Sequence, residues 1–245
     1  MSLLTIDIVI CTYNNANLLD QTLTSLVQQQ QCKAERWSVV VIDNNSTDHT
    51  HEIVQKHIAV GSIPSLRLVR ESQQGLSYAR RRAVLETTGD FLAFVDDDCL
   101  LAPDWIQQVF SFCHEHPNAG AVGGKVQLLW EKTPDNNLRR FAGYLAEQHR
   151  GDKSQILPLS GPTYLVGAGL VVRRSALEAS GWLDKMILKD RAGKSLTAGG
   201  DSEIVLRIRN AGYELWYNPA MQLEHYIPQH RISVDYFCRL LRGIG

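Results

Sequence analysis

The chain has 245 residues, 44% of them apolar, and its 25 Lys and Arg stand against 26 Asp and Glu for a formal charge of −1. That is enough apolar content for a sizeable core, and the charge balance excludes a general nucleic-acid binder, whose affinity rests on clustered phosphate neutralisation. Cys11, Cys32, Cys99, Cys113 and Cys238 are odd in number, widely spaced and without a CxxC pair, so neither a disulfide framework nor a zinc site is indicated and a reducing, cytoplasmic setting is expected.

Ile6 to Cys11 reads as a first strand, interrupted by Asp7 in a way that does not suit a secretory signal, and no window reaches the roughly 18 apolar residues of a membrane span. Thr12-Tyr13-Asn14-Asn15 ends the strand with turn formers. Leu18, Leu19, Leu23, Leu26 and Val27 recur at helical spacing. The unit repeats as a strand at Ser38 to Ile42, a loop at Asp43-Asn44-Asn45-Ser46-Thr47-Asp48, and a helix carrying Ile53, Val54 and Ile58 with Ser46 or Thr47 as its cap. Leu66 to Val69 is a third strand, Gly75 opens an Arg-rich helix to about Glu86, and Gly89 leads into a fourth strand.

That strand, Phe91 to Val95, is five apolar residues in a row, as suits a strand covered on both faces, and it ends in Asp96-Asp97-Asp98. The alternation predicts a doubly wound, mainly parallel α/β sheet with right-handed crossovers, so the loops after Cys11, Ile42 and Val95 should converge on the rim where such sheets bind ligands. Adjacent anions repel unless something neutralises them. A hard divalent cation holding phosphate oxygens would do so; a solvated acidic turn ahead of the helix opening near Pro103-Asp104 is the other reading of these residues alone.

Pro103 to about His114 reads as a helix and Ala121 to Val126 as a strand. From Glu131 to Leu159 the pattern weakens, with a helix expected over Leu138 to Glu147 and a mobile loop at Gly151 to Ser154, the place for a variable substrate-binding surface. Tyr164 to Val172 reads as a strand whose small residues would let a ligand approach the backbone. Gly199-Gly200-Asp201-Ser202-Glu203 opens a helix that stops at Asn210-Ala211-Gly212, and two short strands follow at Glu214 to Tyr217 and Met221 to His225.

Taken together, Thr12-Tyr13-Asn14, the Asp43 to Asp48 loop, Gly75 with Ala79-Arg80, the Asp96-Asp97-Asp98 run and Gly200-Asp201 resemble, in order, the motifs of family 2 glycosyltransferases of the GT-A fold, over about Ile6 to His225. The resemblance implies an inverting, metal-dependent transfer from a nucleotide-diphosphate sugar, by preference UDP-linked, to a hydroxyl of a glycan or lipid-linked acceptor. It implies one GT-A domain over 1–230, with a nucleotide half at about 1–100 and an acceptor half at about 101–230. It also implies roles. Thr12, Tyr13 and Asn14 meet the nucleoside, and Asp43 accepts from a base N–H, as a carboxylate can from uracil N3. Arg80 offsets phosphate, while Asp96 and Asp97 lie in the donor site. Asp98 holds Mn²⁺ or Mg²⁺ directly, with His225 as a further ligand. Asp201 is the base that deprotonates the acceptor hydroxyl, with Glu203 as the fallback, and Gly200 stands where many relatives have Glu. Gly167, Ala168, Gly169 and Trp182 match the acceptor side, Trp182 either as a platform for a sugar face or as a core residue.

The tail over 231–245 reads as a basic amphipathic helix, either packed on the domain, lying on an anionic membrane, or the stump of a longer chain. A non-catalytic nucleotide-sugar or glycan-binding module of the same fold is the alternative function. A sugar-1-phosphate nucleotidyltransferase would want a Gly-rich loop with Lys or Arg after the first strand, which Thr12 to Asn15 lacks.

Overall fold

The computed structural model describes residues 4–29, 36–158, 164–188, 190–193 and 196–244; Cys32 and Gly245 lie outside them. Its first half is three βα steps and a fourth strand: β1 (Thr5–Thr12), α1 (Ala16–Val27), β2 (Arg36–Asp43), α2 (Thr50–Val60), β3 (Leu66–Arg70), α3 (Leu76–Glu86) and β4 (Phe91–Asp96). The strands lie in the order β3-β2-β1-β4, all parallel. Alternate residues divide between two cores, as strand geometry requires. Ile8, Ile10, Val39, Val41, Ala93 and Val95 pack with Leu19 and Leu23 of α1 on one face. Val9, Val40, Ile42, Leu92 and Phe94 pack with Ala79, Ala83 and Val84 of α3 on the other. Register sets Thr12 opposite Asp43 and Cys11 opposite Asp96, so three loops leave the sheet at one level. The cap expected from Ser46 or Thr47 comes instead from Asp48, whose carboxylate accepts from the Thr50 N–H and hydroxyl and, with its other oxygen, from the N–H of Ala16.

The second half departs further from the expected pattern. It contains β5 (Cys99–Leu101), α4 (Trp105–Glu115), β6 (Ala119–Trp130), α5 (Asn136–Arg139), a 3-10 turn at Ala142–Leu145, β7 (Gln155–Ile156), β8 (Leu170–Arg173), α6 (Arg174–Ala179), α7 (Gly200–Asn210), β9 (Glu214–Ile227), a 3-10 turn at Gln229–Arg231 and α8 (Val234–Ile244). The sheet continues β4-β8-β6-β9-β5. Here β8 runs antiparallel to both neighbours, β6 and β9 are parallel, and β5 and β7 add antiparallel to the other edge of β9. The sheet is therefore parallel in its first half and mixed in its second.

Three local expectations change. The helix over Leu138 to Glu147 is a short α5 and a 3-10 turn, ended by Ala146 at φ 69°. The strand from Tyr164 shrinks to β8 because Gly169, at φ 74°, turns the chain just before it. The last two strands are one, β9, whose pairing with β6 jumps from Gly124 opposite Asn218 to Lys125 opposite Gln222. Among the described residues, Cys11, Cys99, Cys113 and Cys238 form no disulfide, and no described helix is long and apolar enough to cross a membrane. The apolar face of α8 is spent on the domain: Tyr236, Phe237 and Leu240 are buried with Leu145 and Ile227.

The jump at Gly124 brings backbone against backbone. A Cβ there would lie 1.9 Å from the Met221 carbonyl oxygen, a contact that no rotamer change relieves. Gly124→Ala should therefore destabilise the fold by about 1–3 kcal/mol, lowering Tm by about 2–10 °C in a thermal melt.

Candidate active site

The rim at the ends of β1, β2 and β4 is tied together by side chains. Asn14, at φ 51°, accepts from the Thr47 N–H with Oδ1 at 2.7 Å and donates its own N–H to Ser46 Oγ at 3.0 Å. It clamps the first loop to the second and is not free to meet a nucleoside through that oxygen. Buried Asn44 holds the third loop: it donates to the carbonyls of Glu71 and Gln73 and accepts from the Gly75 N–H at 2.7 Å. Asp43 accepts from the Ser46 N–H with Oδ1 at 2.8 Å, leaving Oδ2 without a partner among the described residues. Thr12 is buried and its carbonyl accepts from Asn44 N–H at 2.9 Å, while Tyr13 is 42% exposed. Of the three residues of that motif, Tyr13 is the exposed one whose side chain carries none of the loop-to-loop hydrogen bonds.

The three acids are each handled differently. Asp97 accepts from Asn15 Nδ2 at 2.8 Å. Burial, then the charge of Asp98, pushes its carboxyl up to about 7, and burial and Asp98 likewise raise Asp96. Asp98 is 4% exposed. Burial alone would raise its pKa too, but His225 Nε2 at 3.1 Å and Arg231 Nη1 at 3.0 Å hold it well below the usual carboxylate range. His225 reaches Asp98 because β5 pairs Cys99 with it across the sheet. Burial would lower the imidazole pKa; Asp98 outweighs that and raises it.

The carboxylates of Asp96 and Asp98 and the imidazole of His225 bring their donor atoms within 4.8 Å of one another. His225 Nδ1 lies 2.8 Å from the Leu145 carbonyl. A carbonyl only accepts, so Nδ1 carries a proton and Nε2 is the nitrogen left to give a lone pair, the arrangement found behind metal-bound imidazoles. Two carboxylates and an imidazole suit a divalent cation, and the residues present fit one.

Behind the acids, Arg80 is buried above the Phe94 ring at 5.9 Å, and Nη1 donates to Asp190 Oδ2 at 2.8 Å. Burial would lower its pKa, yet Asp190, then Asp201 and Asp96, keep it raised. Its charge is thus already met from within the chain. Gly167 lies between Arg80 and Asp201: a Cβ there would stand 2.9 Å from Arg80 Nη2 and 2.9 Å from Asp201 Oδ2. Asp201 is half-buried at the start of α7, its Oδ1 accepting from the Ser202 N–H.

Glu203, in contrast, is fully committed. It accepts from the N–H groups of Ile187 and Leu188 and from Arg207 Nε at 2.8 Å, so it holds a loop and is not a spare base. Trp182 is 1% exposed within the core; the expectation that it stacks on a sugar is corrected, because its side chain is buried in the apolar cluster that includes α3 and α7 residues. Ala168 is also buried in a core, and Gly169 packs on Leu223, so of that acceptor triplet Gly167 alone borders Asp201. The sequence reading passed over Asn15, Arg231 and Asp190. Arg231 was masked by the basic pattern of the tail, and Asp190 lies in a stretch without periodicity. An open cleft of about 740 Å³, lined by polar groups including Glu131, Lys132, Asp135, Gln229, His230 and Ser233, adjoins the Arg231 turn.

A parallel first half whose central strand ends in an Asp-x-Asp cluster, with a mixed half laid beside it, is the arrangement of the GT-A fold. Solved structures share the fold. TarS of S. aureus with UDP-GlcNAc superposes with TM-score 0.68 at 18% identity, over 92% of this chain and 58% of that one. The mannosyltransferase PcManGT of Pyrobaculum calidifontis with GDP-Man and Mn²⁺ gives 0.65 at 21%, over 100% and 66%. The family model for Glycosyl transferase family 2 matches residues 7–181, and the chain belongs to that family. Relatives include the glucosyl-dolichyl phosphate glucuronosyltransferase of Haloferax volcanii, 25% identical over 236 residues covering 94% of this chain and 72% of the relative. The succinoglycan biosynthesis protein ExoM of Rhizobium meliloti is 26% identical over 241 residues, covering 96% and 71%.

A cation at this cluster would have to compete with protons. With Asp97 near 7 and His225 raised above the ordinary imidazole value, both are largely protonated at pH 6 and deprotonate as pH rises. Mn²⁺ affinity should accordingly increase by about tenfold or more from pH 6 to pH 8, with net proton release. Calorimetry in buffers of different ionisation enthalpy measures both, and a pH-independent affinity would refute the competition.

Proposed function

We propose that the chain is an inverting transferase that moves a sugar from a nucleotide diphosphate, UDP by preference, to a hydroxyl of a glycan or lipid-linked acceptor, with Asp201 as general base. The observation that carries this reading is the placement of an uncommitted carboxylate oxygen, Asp201 Oδ2, beside the same buried guanidinium that senses Asp96 of the acidic cluster. The base and the charge-handling end of the site are thereby neighbours.

Asp201 takes the acceptor hydroxyl proton as that oxygen forms its bond to the anomeric carbon. The bond from that carbon to the diphosphate oxygen breaks on the opposite face, its electron pair leaves with the diphosphate, and configuration inverts. Mn²⁺ or Mg²⁺ held by Asp96, Asp98 and His225 would supply positive charge to offset the leaving diphosphate. Imidazole nitrogen in the set favours Mn²⁺ over Mg²⁺. Tyr13 offers an exposed ring for the base, and Asp43 Oδ2 an acceptor for a base N–H. The relatives named for glucosyl-dolichyl phosphate and for succinoglycan support a lipid-linked or polysaccharide acceptor. The non-catalytic alternative drew on Gly200, and that glycine has a packing cause, the Asp190 carboxylate pressed against it.

Titration with UDP, GDP, CDP and dTDP, each with and without Mn²⁺, tests the donor site. One nucleotide should bind in a Mn²⁺-dependent manner that Asp98→Ala abolishes, whereas binding indifferent to both would remove the acids from the donor site. Asp201→Asn should keep nucleotide affinity within about twofold and lower turnover by about 10²- to 10⁴-fold; retained turnover would place the base elsewhere.

A further inference from the structure

We propose that Asp190 is a positioning residue of the transfer site: a carboxylate brought in by the loop between α6 and α7 that occupies the space of a side chain at position 200, caps α7 and takes up the charge of Arg80, leaving Asp201 free to act. The proposal rests on Asp201 being the base, as argued above.

Asp190 is buried, and its two carboxylate oxygens are committed to different helices. Oδ1 accepts from the Gly200 N–H at 2.7 Å, at the first turn of α7. Oδ2 accepts from Arg80 Nη1 at 2.8 Å, on α3. Its own N–H donates to Ser77 Oγ at 3.2 Å, and the next carbonyl, of Arg191, accepts from the Leu76 N–H at 2.9 Å. One side chain thus joins the helix that bears Arg80 to the helix that bears Asp201.

Gly200 shows what this costs in sequence space. Its φ is not in the left-handed region, so its backbone would accept any L-residue. A Cβ, however, would lie 2.1 Å from Asp190 Oδ2 and 2.6 Å from its Cγ. The carboxylate stands where a side chain of residue 200 would go, and glycine is the residue that admits it.

The second oxygen explains why a carboxylate is needed, since capping alone uses one. Arg80 Nη2 and Asp201 Oδ2 flank the backbone of Gly167, each 2.9 Å from its virtual Cβ, yet no ion pair joins them within 4.0 Å. A buried arginine demands an anion. Asp190 supplies it; with that charge removed, Asp201 is the neighbouring carboxylate for Arg80 to engage, and an Asp201 held in that pair cannot take a proton from an acceptor.

Release of nucleotide from UDP-glucose, UDP-N-acetylglucosamine, UDP-glucuronate and GDP-mannose with Mn²⁺, water serving as acceptor, reads the effect, with every variant checked by thermal melting. Asp190→Asn keeps the shape and an acceptor for Gly200 while losing the charge; it should lower kcat at least about tenfold with donor KM within about twofold. Asp190→Ala and Gly200→Glu should each lose activity, and the double variant, which moves the carboxylate onto residue 200, should recover to within about threefold of the parent. Asp190→Asn that melts like the parent and keeps its kcat overturns the proposal, as does a double variant no better than Asp190→Ala. If the parent turns over none of the four donors, or Asp201→Asn stays active, the reading of Asp201 as base fails and the proposal falls with it. An inactive Asp201→Asn beside a fully active Asp190→Asn sinks the proposal alone.

Discussion

Like-charge repulsion at the end of β4 is the constraint to which the rest of the structure answers. Three successive carboxylates emerge from a strand buried on both faces, and each needs compensation that bulk water does not supply there. The compensating groups come from far apart in sequence. Asn15 comes from the first loop, Arg80 from α3, His225 from β9 and Arg231 from the turn before α8. The second half of the chain is laid out so that its longest strand and its C-terminal turn both reach back to this point. The acids are therefore partly neutralised by the protein itself, through raised carboxyl pKa values and a cationic partner, before any ligand arrives.

A second theme is substitution of one chemical group for another across the chain. Gly124 lets a carbonyl of β9 come closer than any side chain would allow, and Gly200 lets Asp190 supply a carboxylate from a neighbouring loop. In both places the absence of a Cβ is specified by what fills the space. The loop ahead of α7 is fixed from two directions, by Asp190 on one side and by the Glu203 carboxylate gripping Ile187 and Leu188 on the other. The first turn of α7 is thus held without a side-chain cap of its own.

The first, parallel half was legible in sequence because every local signal agreed there. Alternating apolar strands, helical spacing from Leu18 to Val27, and polar loops after each strand all pointed to one parallel arrangement, and the acids fell at the expected edge. The second, mixed half was less legible for identifiable reasons. The sequence Tyr164 to Val172 has strand composition, but Gly169 breaks it by a backbone angle that composition does not reveal. Trp182 reads equally as platform or core, and burial decides it. Arg231 and Asp190 act through contacts more than a hundred residues distant, and their immediate neighbours carry no pattern that would single them out. Asn14 was legible as a loop residue of the right motif, yet its hydrogen bonds turn inward to Thr47 and Ser46. The resemblance located the loop correctly and left the direction of each side chain to the fold.

The level ends of β2, β1 and β4 have a metrological consequence. Paired strands lie about 4.8 Å apart, and Asp43 stands opposite Thr12 while Asp96 stands opposite the preceding residue, Cys11, on three adjacent strands. The backbone separation between Asp43 and Asp96 is therefore about 10 Å, close to two strand spacings, and it is set by backbone hydrogen bonds with no side chain taking part. Substitutions in the helices can soften the domain or shift its loops without altering that gauge. A ligand of different length would have to be accommodated by changing which loops meet it, since the graduations on the sheet cannot move.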